Sequence, residues 1–353
     1  MPNLPTNLLD LTPVEARQSL LDAMAELGQP SYRADQVLRR LWLNPAADFD
    51  AMTELPVALR SELATRFVMP RLTLAVRQSS IDGTEKFLFT LADGQSIETV
   101  AIPDGDRMTF CISSQAGCAL ACAFCATGAM GFQRNLAVHE IAGQVRELAM
   151  LTPAVLATNI VFMGMGEPLM NWRAVAPTLS ILNSPEAFGI GARHITVSTV
   201  GVLPGIVALG ERPEQFRLAI SIHAPNDDLR KELMPVNTKF PLADVIEAAA
   251  AFDRRVTFEY VMLGGVNDTR VLAGQLAALA RACKAFVNLI PLHPGGGLGF
   301  TPTPREGIHQ FANWIRAEGV EVAIRRSRGL DISAACGQLR VEKIGRRRET
   351  VAG

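Results

Sequence analysis

After Asp104 the chain alternates short β-branched runs with helical ones, and that alternation restricts the fold more than any other feature. Met108 to Ser113, Asn159 to Met163, His194 to Ser198, Phe216 to Ile222, Thr257 to Met262 and Phe286 to Leu292 read as strands. Intervening stretches such as Val138 to Leu151 and Leu242 to Phe252 read as helices. Strands separated by helices form parallel βα units in an α/β fold. Polar and glycine residues gather at the strand ends: Gly164, Gly166 and Glu167, then Ser198, then Ser221 and His223, then Asn288. Ligands bind at that edge in a parallel barrel and in an open doubly wound sheet alike.

Upstream the pattern differs. From Thr12 to about Phe67 apolar residues recur at helical spacing, as in Leu20, Met24 and Leu27 and in Val37, Leu38, Leu41 and Trp42. Between Leu72 and Pro103 they alternate, and Asp-Gly pairs at 82–83 and 93–94 mark hairpin turns, which predicts a short antiparallel sheet. At 353 residues, 48% hydrophobic and 20% charged, the chain can bury one large core and a small appendage. The expected division is a helical unit over 1–70, a β extension over 71–103, a core over 104–330 and a C-terminal loop and tail over 331–353. The N-terminus has no basic and apolar leader, and no apolar run is long enough to span a bilayer, so a cytoplasmic location is expected.

Six cysteines without a secretion signal favour metal and redox chemistry over a disulfide framework. Cys118, Cys122 and Cys125 crowd into one Gly- and Ala-rich loop. Three thiolates can hold three irons of a cubane cluster and leave the fourth open to an outside ligand. Structural zinc wants four protein ligands, and only Cys111 stands near enough in sequence to complete them. A catalytic zinc with three thiolates and a water, or an inert buried trio, are the alternatives. The net charge of −1 gives no global sign of nucleic-acid binding. Arginines cluster at 325, 326 and 328, at 346–348 and at 39–40, and each cluster alone reads more readily as a solvated face.

The Cys-x3-Cys-x2-Cys spacing, with Phe124 before the third Cys, resembles the signature of radical S-adenosylmethionine (SAM) enzymes. The resemblance implies a partial (β/α)6 barrel, a 4Fe-4S cluster on Cys118, Cys122 and Cys125, and SAM chelated to the open iron. Gly164-Met165-Gly166-Glu167-Pro168 resembles the superfamily's motif for the SAM amino group. Taken alone it is an ordinary strand-to-helix turn, in which glycine allows close backbone approach and a carboxylate can hold an ammonium.

Further segments narrow the resemblance. Cys111 to Cys118, Arg134-Asn135-Leu136, Met163 to Pro168, Ser198-Thr199, Ser221-Ile222-His223-Ala224, Met234 to Asn237, Val287 to Pro291 and Ala334 to Leu339 are similar to the RlmN/Cfr family of radical SAM RNA methyltransferases. Nearly the whole chain is covered, and the pattern is closer to the RlmN branch. The resemblance implies methylation of adenine carbon 2 in 23S rRNA and at position 37 of tRNAs, with two SAM molecules per turnover. One SAM methylates Cys336. The other generates a 5′-deoxyadenosyl radical that takes a hydrogen from the S-methyl group, and the methylene radical adds to the base. It further implies Glu98 as proton acceptor, Cys111 as the thiol that forms a transient disulfide with Cys336, and SAM contacts from Gly166, Glu167, Ser198, Ser221, Ile222, His223 and Asn288. A flavodoxin- or ferredoxin-like electron donor, no membrane and a monomeric state complete what it implies.

Read from sequence alone, Glu98 is an outward residue of a strand, and Cys111 and Cys336 are inert buried thiols, although the Gly after Cys336 suits a mobile loop. Cys283, His139, His194 and His309 carry no functional signal. The Gly-rich stretch 295–300 departs from the family pattern and puts RNA contacts there in doubt. Three rivals stand beside the leading reading: a Cfr-type carbon 8 methyltransferase, a zinc-stabilised RNA-binding protein without catalysis, and a radical SAM enzyme acting on a small molecule or peptide.

Overall fold

A computed structural model describes residues 5–293, 299–334 and 337–339. The strand β1 (Thr6–Asn7) leads to three helices, α1 (Pro13–Glu26), α2 (Tyr32–Leu41) and α3 (Val57–Arg66), and β2 (Phe67–Val68) returns parallel to β1. Thr12 starts α1 through a capping box with Glu15, which satisfies two backbone donors that a helix start leaves open. Leu20, Met24, Val37, Leu38, Leu41 and Trp42 are all buried, so the helical periodicity reports the packed face correctly.

Three antiparallel strands follow, β3 (Thr73–Ser79), β4 (Glu85–Thr90) and β5 (Ser96–Asp104), and the two Asp-Gly turns join them. They do not stand apart. β5 pairs antiparallel with β6 (Arg107–Cys111), so they extend one edge of the main sheet. A ribbon of β7 (Gln115–Gly117) and β8 (Phe132–Asn135) then brackets the cysteine loop and the short helix α4 (Ala126–Ala129).

The barrel continues through α5 (Val138–Ala149), β9 (Asn159–Phe162), α6 (Trp172–Asn183), β10 (Ile195–Thr199), α7 (Leu203–Gly210), β11 (Arg217–Ser221), α8 (Asp227–Leu233) and α9 (Leu242–Ala251). It closes with β12 (Val256–Met262), α10 (Arg270–Cys283), β13 (Phe286–Pro291), α11 (Arg305–Ala317) and β14 (Val322–Ile324). The sheet order is β14-β13-β12-β11-β10-β9-β6-β5-β4-β3, parallel from β14 to β6. All six expected parallel strands are present. β14 adds a seventh, three half-buried residues too short to show a sequence period.

Polar groups at the contact join the N-terminal helices to the barrel. Arg146 is buried on α5, donates to the Leu41 carbonyl at 2.9 Å and also reaches the Ala46 carbonyl. Asp10 accepts from the His139 backbone at 2.9 Å, and Arg71 grips Glu147 with two nitrogens at 2.6 to 3.0 Å. Trp42 lies against Phe188 with ring centroids 5.5 Å apart. Among the described residues no helix is long and apolar enough to cross a membrane.

Candidate active site

A cleft of about 930 Å³, counted to its open mouth, lies over the C-terminal ends of the strands. Cys118, Cys122 and Cys125 line it, and so do Gly166, Glu167, Ser198, Ser221, His223, Glu259 and Arg325.

The cysteine loop is fastened from several sides. The Cys118 amide donates to the Gly131 carbonyl at 3.0 Å, and the Ala123 amide donates to Leu233 on α8 at 2.9 Å. Gly117 has φ +75°, and a Cβ there would come 1.9 Å from the Gly131 oxygen, so no other residue allows the strands to meet. Phe124 stands edge-on to the His223 ring at 4.7 Å.

Burial raises the Cys118 thiol to about 11, and raises Cys122 further. Bare thiolates are therefore costly here, and a bound cation would supply the missing stabilisation. Among the described residues no three His, Cys, Asp or Glu side chains gather closely enough to hold one metal ion. The thiols instead share the wall of one cavity. Three thiols on one cavity wall are a donor set that fits a cluster, where each thiolate takes its own iron and one iron stays open.

Glu167 is 3% exposed. Its Oε1 accepts from the Leu169 amide at 3.0 Å and its Oε2 from the Val200 amide at 2.9 Å. Burial is the largest influence and raises the carboxyl to about 7 against these hydrogen bonds. The Glu167 amide donates to Gln115 Oε1 at 2.8 Å, and a Cβ on Gly166 would come 2.4 Å from the Gln115 Cβ. Gly166 thus seats its loop on β7 as well as opening the cleft. Gln144 holds the Ser113 backbone from both sides, accepting its N–H and donating to its C=O at 2.8 Å each. This fixes the chain between Cys111 and Cys118.

His223 sits at φ +54°, and its Nδ1 accepts from the Val261 amide at 3.0 Å. Burial first, then Arg230, lowers it to about 3, so the ring is neutral and Nε2 carries its proton. Ser198 and Ser221 share the cleft wall with His223, whereas Ile222 is buried and gives its amide to the Glu259 carbonyl. Asn288 is not a strand-end residue. It stands third in β13, away from this cleft, and donates to Glu259 Oε2 at 3.0 Å. Burial raises Glu259, and Arg325 and Asn288 oppose that shift.

Beside the first cleft lies a second, lined by Cys111, Arg325, Arg326, Arg328, Ala334 and Leu339 among others, and the two share Met163, Ile290 and Arg325. Glu98 is no outward residue. It is 3% exposed, and Lys86 Nζ lies 3.2 Å from its Oε1. β4 and β5 place the two on one face, because Leu88 is opposite Glu98 and Lys86 is the diagonal neighbour. Cys336 lies outside the described residues, but the segment that begins at Gly337 is anchored to α4. The Ala126 amide donates to the Gly337 carbonyl at 2.8 Å, and Thr127 Oγ1 donates to Leu339 at 2.6 Å.

The profile of the radical SAM superfamily matches residues 112–273, and that of the ribosomal RNA large subunit methyltransferase N-terminal domain matches 6–69. A probable dual-specificity RNA methyltransferase RlmN of Gemmatimonas aurantiaca is 72% identical over 341 residues, which cover 97% of this chain and 95% of its own. The chain belongs to the RlmN family. Another member, from Alkalilimnicola ehrlichii, is 43% identical across 94% of this chain and 93% of its own. The crystal structure of a radical SAM methyltransferase from Sphaerobacter thermophilus superposes with a TM-score of 0.88 at 45% identity, over 96% of this chain and 100% of that one. The chain is accordingly a SAM-dependent methyltransferase with a radical SAM core.

Within this RlmN-family fold, the cysteines, Gly166, Glu167, Ser198, Ser221 and His223 come together in one cleft, and Cys111 lines the next. Glu259, Lys86 and Arg230 escape sequence reasoning. Glu259 did leave a signal, a lone carboxylate in the otherwise apolar end of a buried strand. Arg230 is fully buried and donates to the Val200 carbonyl at 2.5 Å, and Val200 in turn donates to Glu167. Cys283 closes α10 against the Ile246 carbonyl, which fits a structural thiol.

Proposed function

We propose that the chain methylates carbon 2 of an adenosine in 23S rRNA and of adenosine 37 in tRNAs, with Cys336 as the methyl carrier and two SAM molecules per turnover. The observation that carries this reading is a pair of hydrogen bonds, from Ala126, next to Cys125, to Gly337, next to Cys336, and from Thr127 to Leu339. They tie the carrier segment to the cysteine loop.

In this reading Cys118, Cys122 and Cys125 hold a 4Fe-4S cluster, which with SAM supplies the electron and the radical that removes a hydrogen from a methyl group. Glu167 receives the SAM ammonium: it accepts the Leu169 and Val200 amides and the Thr199 hydroxyl, which leaves one of the about four acceptor sites of a carboxylate open. Ser198, Ser221 and the Nε2–H of His223 offer hydrogen bonds to the rest of the cofactor. Asn288 acts through Glu259, the member of that pair that lines the cleft.

Glu98 takes the ring proton of the adduct. Its neighbourhood supports the role, because β5 and β6 run side by side with Val100 opposite Cys111, and Ser113 Oγ donates to the Glu98 carbonyl at 2.6 Å. Cys111, as its thiolate, then attacks the Cys336 sulfur: an S–S bond forms, the S–CH2 bond breaks with its electron pair left on the methylene carbon, which takes up a proton as the product methyl, and the unpaired electron of the adduct leaves to the redox chain that supplied it. Lys86 holds Glu98 and lies 3.4 Å from the Ser333 carbonyl, three residues before Cys336. The reading also implies a flavodoxin- or ferredoxin-like reductant, a monomeric enzyme and a cytoplasmic location, where both RNAs reside.

The test is mass spectrometry of nuclease-digested 23S rRNA and tRNA from cells with and without the gene. Loss of 2-methyladenosine from both pools is expected. Loss of 8-methyladenosine instead would reassign the regiochemistry, and no change in either isomer would end the RNA reading.

A further inference from the structure

The chemistry above makes no use of Arg325, Arg326 and Arg328. In the fold they line the second cleft, of about 1390 Å³, together with Arg107 on β6. That cleft runs on into a third hollow through the shared Arg107, Met163 and Arg325, and there Arg217 opens β11 and Arg255 precedes β12. The chain as a whole has 34 basic and 35 acidic residues, so six guanidinium groups along one groove, against the two carboxylates Asp104 and Glu259, are a segregation of charge and not a reflection of composition.

Arg107, Arg255 and Arg328 have exposed carboxylate partners. Arg328 lies 3.5 Å from Asp104, which also pairs with Arg107, and Arg255 lies 3.8 Å from Glu321 over the Phe286 ring. Such exposed pairs contribute little and exchange readily for another anion. Arg217 and Arg326 are exposed, and among the described residues neither has a carboxylate at ion-pair distance. Helix dipoles do not explain the set. The end of α7 is already served by Arg254, which donates to the Leu209 and Gly210 carbonyls at 3.2 and 2.8 Å. Arg325, Arg326 and Arg328 follow a strand, and the dipole effect fades within a turn.

We propose that this groove holds the phosphodiester backbone of the substrate RNA, so that an unstacked adenosine enters the cofactor cleft past the shared wall at Met163 and Arg325. Guanidinium groups suit phosphate because their planar fork can donate two parallel hydrogen bonds. Aromatic residues make up only 6% of the chain, so grip on the backbone rather than base stacking would carry most of the affinity. The proposal rests on the RNA methyltransferase reading.

The experiment measures binding of the full-length protein to a fluorescein-labelled RNA hairpin with a looped adenosine, by anisotropy across a series of NaCl concentrations. Arg217→Ala and Arg326→Ala should each weaken binding several-fold and reduce the slope of log affinity against log salt by about 0.7–0.9. Arg281→Ala on α10, outside the groove, should leave both unchanged. Arg217→Lys and Arg326→Lys should keep the wild-type slope, which they would not do for a packing defect. If wild-type binding is salt-sensitive and both Ala variants keep its slope, the groove is not the RNA track. If the wild-type protein has no affinity for RNA, the RNA reading itself fails.

Discussion

Glu167 and His223 face one cleft with opposite demands on pH. A carboxyl raised from 4.5 to about 7 makes the cofactor-free fold lose stability as pH climbs through that window, because the folded state prefers the proton. An imidazole lowered from 6.5 to about 3 makes the fold lose stability as pH falls through that window, because the folded state refuses the proton. Between 4.5 and 6.5 the two effects oppose each other, so the wild-type curve should be shallow there. Glu167→Gln should unmask stability that rises with pH from about 3 to 6.5, and His223→Gln should unmask stability that falls from 4.5 to about 7. Urea midpoints of cofactor-free protein across pH measure both, and variant curves parallel to wild type would refute the assignment. Residues of this kind differ in how well sequence reports them. The cysteines were legible because type and spacing alone suggest ligands, and Glu167 because its motif follows them at the next strand. Lys86, Arg146 and Arg230 were not, because a buried charge is explained only by partners that the fold brings from elsewhere, 105 positions away for Arg146 and Leu41.

At the scale of elements, the hairpin of β3 and β4 acts as a clamp on the segment that leads to Cys336. Asp82 at its tip accepts from the Gly329 amide at 2.9 Å, the Ile81 amide donates to Asp331 at 3.2 Å, and Lys86 reaches Ser333. Burial would raise the Asp82 carboxyl, but the Gly329 and Thr84 amides together with the Ser80 and Thr84 hydroxyls outweigh it and hold the group near about 2. The clamp is therefore engaged at any physiological pH. Asp82→Ala should expose the Gly329 amide to exchange on the order of tenfold faster, the scale of one hydrogen bond to a charged acceptor. Methylation of Cys336 should slow while the iron content stays unchanged. Hydrogen-exchange mass spectrometry reads the first effect and intact mass the second, and unaltered exchange at Gly329 would remove the hairpin from this role. The alternation from Leu72 to Pro103 announced the hairpin, but nothing local could announce its partner, because residues 329–334 form only a single short turn. β14 was missed for the same reason, since three residues leave no period to read.

At the scale of the whole molecule, the N-terminal helices and the barrel meet across a contact that a buried guanidinium organises. Burial lowers Arg146 to about 10, so it remains charged at neutral pH, and its hydrogen bonds go to carbonyls at the end of α2 and just beyond it. Those carbonyls have left water, and an unsatisfied buried acceptor costs about 1–3 kcal/mol. Arg146→Leu keeps an apolar side chain on α5 but strands both acceptors, so the penalty falls on the contact and not on either core. The variant should lose about 3 kcal/mol of stability. It should also split unfolding in urea into two steps, the earlier one reported by Trp42, whose ring packs against Phe188 across this contact. The barrel should keep its iron and its affinity for SAM, since the cysteine loop and Glu167 are held by bonds to Gly131, Leu233, Gln115 and Val200, whereas the hydrogen bonds of Arg146 go to Leu41 and Ala46. RNA methylation should fall further than SAM binding if the N-terminal helices help to engage the substrate. A single urea transition with the wild-type midpoint would show that the Trp42 packing and the bonds of Asp10 and Arg71 join the two parts, and that Arg146 is carried in the contact without supporting it.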